Sequence, residues 1–221
     1  MLNLLVDKNL QGISENSSAI LASCDYAYFK NYGLDLIESH QSQSHSVPLI
    51  INCINFDLNA AKLIIEDRLT SSSLKNIFLV GCSIPHLANQ NEETKLCWYK
   101  TIRYEVGRLL QKNLNIALAI IDVDALFKKD ATCIFNQLKS SNIDFCIGSR
   151  FDFEGGSLFE SSFIDYPWRV VKAGFSYFDT SSIGRVALDA VSSKLFNLKD
   201  KVQPSEPLKL YQAYYGDQIA L

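Results

Sequence analysis

Two stretches of the sequence are almost continuously apolar: Leu49-Ile50-Ile51-Asn52-Cys53-Ile54 and Ile116-Ala117-Leu118-Ala119-Ile120-Ile121. A strand with one wet face alternates apolar and polar residues. These runs do not alternate, so both faces of each strand must be covered. Strands of that kind belong in the middle of a sheet with helices packed on either side. The longest such run is far shorter than the roughly 20 apolar residues a bilayer-spanning helix needs, and no transmembrane segment is expected.

The surrounding sequence supplies the rest of such a fold. Ala19 to Ser23 is a short apolar run that ends at Cys24-Asp25, and Ile77 to Val80 is a strand closed by Gly81. Ile143 to Ile147 and Val170 to Phe178, with Gly174 inside it, read as further strands. Helical patterns lie between them. Gly33 to Glu38 is one, and Asp57 is placed to cap another that ends near Leu69. Glu92 to Lys112 is the longest, with Leu96, Tyr99, Ile102, Val106, Leu109 and Leu110 at helical spacing. Asp130 can cap a helix from Ala131 to Leu138, and Ser181 or Ser182 can open one carrying Val186, Leu188, Val191 and Leu195. Ser39 to Ser46, the serines after Leu69, residues 81–94 and residues 200–209 read as loops. Strand and helix alternate through the first 150 residues. The expectation is an α/β single domain over residues 1–221, with a mostly parallel central sheet flanked by helices.

Composition excludes several functions. The 221 residues carry a net charge of −3, so no broad basic surface offers itself to nucleic acid. The opening Met1-Leu2-Asn3-Leu4-Leu5-Val6-Asp7 lacks the basic start of a signal peptide, and a cytoplasmic location is expected. None of the six cysteines forms a Cys-x-x-Cys pair, and most have apolar neighbours. They read as reduced, buried and non-catalytic. His40, His45 and His86 are not spaced with any thiol pair, which argues against zinc.

The second apolar run ends in Asp122-Val123-Asp124. In extended chain, residues i and i+2 point the same way, so these carboxylates can converge on one divalent cation. Mg²⁺ or Mn²⁺ suits such hard oxygen ligands and would in turn hold a diphosphate. The competing account is a solvated turn with Asp124 bonding backbone. Carboxylates at the end of a buried strand have to be hydrated, paired or metal-bound.

The segment around this motif resembles nucleotide-sugar glycosyltransferases of the A-type fold, the group that contains lipopolysaccharide galactosyltransferases and glycogenin. The similarity lies in Lys100-Thr101-Ile102-Arg103-Tyr104-Glu105-Val106-Gly107-Arg108 followed by Ile121-Asp122-Val123-Asp124-Ala125-Leu126-Phe127-Lys128-Lys129-Asp130. Arg103, Gly107 and Asp130 stand where the family carries an Arg, a Gly and an Asp. Cys24-Asp25-Tyr26-Ala27-Tyr28-Phe29 resembles the loop that holds nucleobase and ribose. Ala173-Gly174 resembles the strand near the donor sugar, with Lys172 in place of the family's Asn. Tyr215-Gly216-Asp217-Gln218 is similar to the motif at the reaction site.

The resemblance implies a metal-dependent transferase that moves a sugar from a nucleotide-diphosphate donor, a UDP-sugar first among them, to an unknown acceptor. It implies a nucleotide-binding half over residues 1–150 and a donor-sugar and acceptor half over 151–221, shortened at its C-terminal end. Cys24, Asp25, Tyr26, Arg103, Asp122, Val123, Asp124, Ala173 and Gly174 would bind the donor, with Tyr26 stacking on the base and Asp25 accepting a hydrogen bond. Asp122 and Asp124 would hold Mn²⁺ or Mg²⁺, while Asp217 and Gln218 would be catalytic. Read alone, Arg103 serves equally as a helix-surface charge paired with Glu92 or Glu105, and Asp217 as a helix cap. Two alternatives stand beside this function. One is an inactive or binding-only member of the fold, because the family's downstream metal-binding His has no counterpart. The other is a haloacid-dehalogenase-type phosphatase with Asp122 as nucleophile.

Overall fold

The computed structural model describes residues 3–6, 8–43, 46–69, 75–149 and 171–199. Among these, seven strands form one sheet. They are β1 (Asn3–Val6), β2 (Ser18–Cys24), β3 (Leu49–Ile54), β4 (Ile77–Ser83), β5 (Ala117–Ile121), β6 (Phe145–Ser149) and β7 (Val171–Phe178). Their order across the sheet is β1-β4-β3-β2-β5-β7-β6. The central β4, β3, β2 and β5 are parallel. On one edge β1 runs antiparallel to β4, and on the other side β7 inserts antiparallel between β5 and β6. The helices are α1 (Tyr26–Tyr28), α2 (Leu34–Gln43), α3 (Leu58–Arg68), α4 (Glu92–Leu114), α5 (Thr132–Ser140) and α6 (Ser182–Lys199). A π-helical turn, Phe29–Gly33, joins α1 to α2.

The doubly apolar strands occupy the centre, as their composition requires. Every residue of β3 and of β5 is buried. Alternate side chains of β5 feed two separate cores. Leu118 and Ile120 pack with Ile102, Val106 and Leu110 of α4 and Leu188, Val191 and Leu195 of α6. Ala117, Ala119 and Ile121 face Leu36 and Ile37 of α2, Ala61 and Ile65 of α3 and Phe135 of α5. Each face of the sheet is thus sealed by its own helices, at about 25 cal/mol for each Å² of apolar surface withdrawn from water. Asn52 is tolerated inside β3 because its amide donates to Ser23 Oγ at 3.2 Å and to Cys82 Sγ at 3.4 Å. Gly107 lets α4 approach the sheet, since a Cβ there would sit 3.0 Å from both Ile120 Cδ1 and Leu118 Cδ2.

Several boundaries follow the expected physics. Asp57 caps α3 by accepting from the Asn59 and Ala60 amides at 2.7 and 3.1 Å. Ser181 Oγ accepts from Gly184 N at the start of α6, and Asp130 accepts from Thr132 N at the start of α5. Other expectations are corrected. The polar stretch from Ser39 is not all loop: α2 runs on to Gln43, because His40 falls on the buried face with Leu36 and Ile37 and is itself fully buried. Strand β4 continues through Gly81 to Ser83, and Pro85–Asn89 forms a 3-10 turn within the expected loop. Val186 is 67% exposed, while Leu188, Val191 and Leu195 form the buried stripe of α6. The edge strand β1 carries no alternation by which it could be foreseen.

Candidate functional site

Strands β2 and β5 are hydrogen-bonded parallel neighbours, with Ala22 in register with Ile121. Both chains therefore leave the sheet at the same edge and side by side. The segments Ser23-Cys24-Asp25 and Asp122-Val123-Asp124 share the lining of one cavity of about 400 Å³ there. Ligands of open α/β sheets bind in this position, beyond the carboxyl ends of the strands.

The Asp pair reaches the cavity by a different route from the one expected. The strand stops at Ile121, and residues 122–125 form a turn in which Ala125 N donates to the Asp122 carbonyl at 3.2 Å. Val123 is pulled into the core between its neighbours, while Asp122 and Asp124 stay exposed. Burial of the intervening valine, rather than strand pleating, turns both carboxylates outward.

Helix α4 forms another wall through Tyr99, Lys100 and Arg103, which lie at helical spacing on one face. Arg103 is only 5% exposed, so it is no surface charge. Its Nη1 donates to Asp122 Oδ1. Glu105 instead takes Arg108 in a bidentate pair at 2.7 Å and accepts from Ser192 Oγ of α6 at 2.6 Å. The guanidinium anchors one oxygen of Asp122 and leaves the other, Oδ2, aimed at β7.

There Asp122 N donates to the Gly174 carbonyl at 3.3 Å. A Cβ on Gly174 would lie 2.9 Å from Asp122 Oδ2, so the bare Cα is what leaves this oxygen room. Ala173 precedes it in the same strand.

A further wall follows β2. Asp25 caps α1, its Oδ1 accepting from Tyr28 N at 2.8 Å. Burial pushes the Cys24 thiol well above its ordinary pKa, with Cys53 and then Asp25 adding to the effect. Tyr28 faces the cavity. Tyr26, which the sequence had singled out, does not line it and packs edge-on against Phe56, with ring centroids 5.9 Å apart. Two turn residues apart on a capped helix, the tyrosines point to different sides.

Cys24, Asp25, Arg103, Asp122, Val123 and Asp124 thus meet in one cavity, with Gly174 against Asp122. Tyr28, Tyr99 and Lys100 join them without having been picked from the sequence. Lys100 was detectable in principle, one helical turn before Arg103. Asp217 and Gln218 lie outside the described residues. Among the described residues, no cluster of three or more His, Cys, Asp or Glu side chains could hold a metal. The pair itself fits a divalent cation in part: Asp122 Oδ2 has its space beside Gly174, and Asp124 is exposed to the same cavity. Further ligands would come from diphosphate and water, as is usual for Mg²⁺.

No family model and no curated protein matches the sequence. Solved structures do match. The galactosyltransferase LgtC, in complex with donor and acceptor sugar analogs, superposes with a TM-score of 0.55 at 11% identity, covering 89% of this chain and 70% of LgtC. The bifunctional glycosyltransferase WbbM gives 0.51 at 10% identity, over 93% of this chain and 38% of WbbM. The glycosyltransferase GlyE of Streptococcus pneumoniae TIGR4 gives 0.50 at 13% identity, over 92% of this chain and 44% of GlyE. The chain has the fold of these glycosyltransferases. At such identities the likeness is one of backbone architecture, and it agrees with the A-type resemblance carried by the motifs. Among the described residues no helix is long and apolar enough to cross a membrane.

Proposed function

We propose that the protein is a glycosyltransferase that binds a nucleotide-diphosphate sugar in the β2–β5 cavity, with Mn²⁺ or Mg²⁺ on Asp122 and Asp124, and passes the sugar to an acceptor. The observation that carries this reading is the convergence of Asp122, Asp124, Arg103 and Lys100 with Asp25 and Tyr28 around one cavity. Charged groups for a metal and a diphosphate, with aromatic and hydrogen-bonding groups beside them within about 400 Å³, suit a nucleoside diphosphate.

Each residue has a physical task in this scheme. Tyr28, rather than Tyr26, offers its half-exposed ring to the base. Asp25 has one oxygen engaged as a cap and presents the other to a ribose or base donor. Arg103 holds Asp122 in a single orientation, so its second oxygen is preorganised. Lys100 adds a second positive charge at the cavity wall for the diphosphate. When bound, the metal would neutralise the diphosphate and act as a Lewis acid toward the leaving group. Asp217 and Gln218 are assigned to the transferred sugar, where a carboxylate can stabilise positive charge on the ring or take the acceptor's proton. A UDP-sugar is the first donor to test.

Thermal unfolding in a panel of nucleoside diphosphates and nucleotide sugars, with and without Mn²⁺, tests the scheme. Ligand at about 100 times its Kd adds roughly 2.7 kcal/mol, which is readily seen as a shift in Tm. One nucleotide should stabilise the protein, more strongly with Mn²⁺, and Asp124→Asn should abolish the Mn²⁺ increment. Absence of any shift in either metal condition would refute donor binding.

A further inference from the structure

The two carboxylates sit on an irregular segment, Asp122 to Ala131, between the end of β5 and the start of α5. Asp122 is fixed by Arg103, but Asp124 depends on where the backbone of this segment is held. Helix α2, far away in sequence, holds it. Ser39 Oγ accepts the Phe127 amide hydrogen at 3.2 Å, and the same hydroxyl donates to the Leu36 carbonyl at 2.9 Å. Both hydrogen-bonding directions of one side chain are thereby committed, which fixes the hydroxyl against rotation.

Beside it, the fully buried His40 meets the Phe127 ring edge to face, with centroids 5.4 Å apart. The His40 Nε2 lies 2.8 Å from the Val47 carbonyl, which can only accept, so Nε2 carries the hydrogen and donates it. Nδ1 is left to accept from the Gln41 amide at 3.2 Å. Past α2, Ser46 Oγ and Thr132 Oγ1 bond at 2.7 Å at the first residue of α5, directly after this segment. Ser39 and Ser46 therefore hold the Asp-x-Asp segment at Phe127 and just beyond its end at Thr132.

We propose that Ser39 and His40 are positioning residues for the Asp122–Asp124 pair: they set its affinity for a divalent cation without touching the cation. This rests on the donor-site proposal above and adds a determinant from outside the cavity. Groups that orient metal ligands from behind typically alter affinity by about 10–100-fold when removed. A contact transmitted through three residues of backbone belongs at the low end.

The test is Mn²⁺ titration, by the loss of the free-ion electron paramagnetic resonance signal, on wild type, Ser39→Ala, Ser39→Thr and Ser42→Ala. Ser42 is a control on the same helix, because its hydroxyl makes an equivalent bond to a helix carbonyl, that of Ser39, at 3.0 Å. Amide hydrogen exchange at Phe127 is followed in parallel. Expected is a roughly tenfold weaker Mn²⁺ affinity with faster Phe127 exchange in Ser39→Ala, near-wild-type behaviour in Ser39→Thr, and no change in Ser42→Ala. If the Phe127 amide exchanges faster while Mn²⁺ affinity stays that of wild type, the positioning role is overturned and donor binding stands. Equal losses in Ser39→Ala and Ser42→Ala would also overturn it, as a general effect of weakening α2. A wild-type protein that takes up no Mn²⁺, with or without nucleotide, removes the donor-site metal and this inference together.

Discussion

Asp122→Ala should cost more stability than Arg103→Met, although Asp122 is the more exposed partner. The Arg103 side chain is 6% exposed and that of Asp122 is 49% exposed. Removing the arginine leaves a carboxylate that half faces the cavity and regains water. Methionine keeps most of the packing of the arginine stem, so the loss is about 1 kcal/mol, the margin of one hydrogen bond over hydration. Removing the carboxylate takes from the buried guanidinium an anion that helps to offset its desolvation. Breaking a buried pair from that side costs roughly 3–5 kcal/mol, and access of cavity water puts this one at about 3 kcal/mol. In a domain of this size each kcal/mol is worth about 2–4 °C in Tm, so Asp122→Ala should fall about 6–12 °C and Arg103→Met about 2–4 °C. Urea unfolding of both variants and of the double variant supplies the free energies. The double variant should lie well short of the sum, because the two groups interact directly. If Asp122→Ala proves neutral or stabilising while Arg103→Met is severe, the argument from asymmetric burial fails. Arg103 would then matter for packing and not for charge.

Three further outcomes are expected. Gly174→Ala places a methyl group 2.9 Å from Asp122 Oδ2 and should weaken Mn²⁺ binding about tenfold at a stability cost of about 1–3 kcal/mol, read by metal titration alongside urea unfolding. Burial raises the thiols of Cys53 and Cys82 from an ordinary 9.0 to about 12 and about 11, with Cys82 Sγ partly relieved by the Asn52 amide. Between those values the unfolded chain has already lost protons that the folded chain keeps, so stability is fully present below pH 9.0 and declines as pH rises toward about 11. Denaturant midpoints between pH 8 and pH 10.5 (about the range that spans the ordinary thiol value) should fall, and less so for Cys53→Ala. At neutral pH a thiol reagent should label the exposed Cys133 at once and Cys53 and Cys82 only on unfolding.

Much of the fold was legible because the central strands state their own environment. Ile116 to Ile121 has no polar side to show to water, and only a position between two helical layers satisfies it. The capping aspartate at 57 and the serine at 181 marked helix starts for local reasons and were found where expected. The end of α2 was not legible, since Ser39 to Ser46 is polar throughout. The buried contacts of His40 that extend the helix come from Val47 and Phe127, and neither partner announces itself locally. The antiparallel insertion of β7 between β5 and β6 was equally hidden, since strand direction depends on the path of the connection rather than on strand composition.

The candidate site divides in the same way. That two carboxylates end a buried strand, with an arginine and a glycine on the preceding helix, is a property of the sequence alone, because those residues are close in the chain or fixed by helical spacing. The placement of Tyr28 rather than Tyr26 at the cavity, the ion pair of Arg103 with Asp122, the room that Gly174 leaves for Asp122 Oδ2 and the grip of Ser39 on Phe127 belong to the tertiary structure. Each joins groups from different elements across the sheet edge. Local sequence can say which side chains are able to do chemistry. Only the packed sheet sets the distances and directions that decide which of them act together.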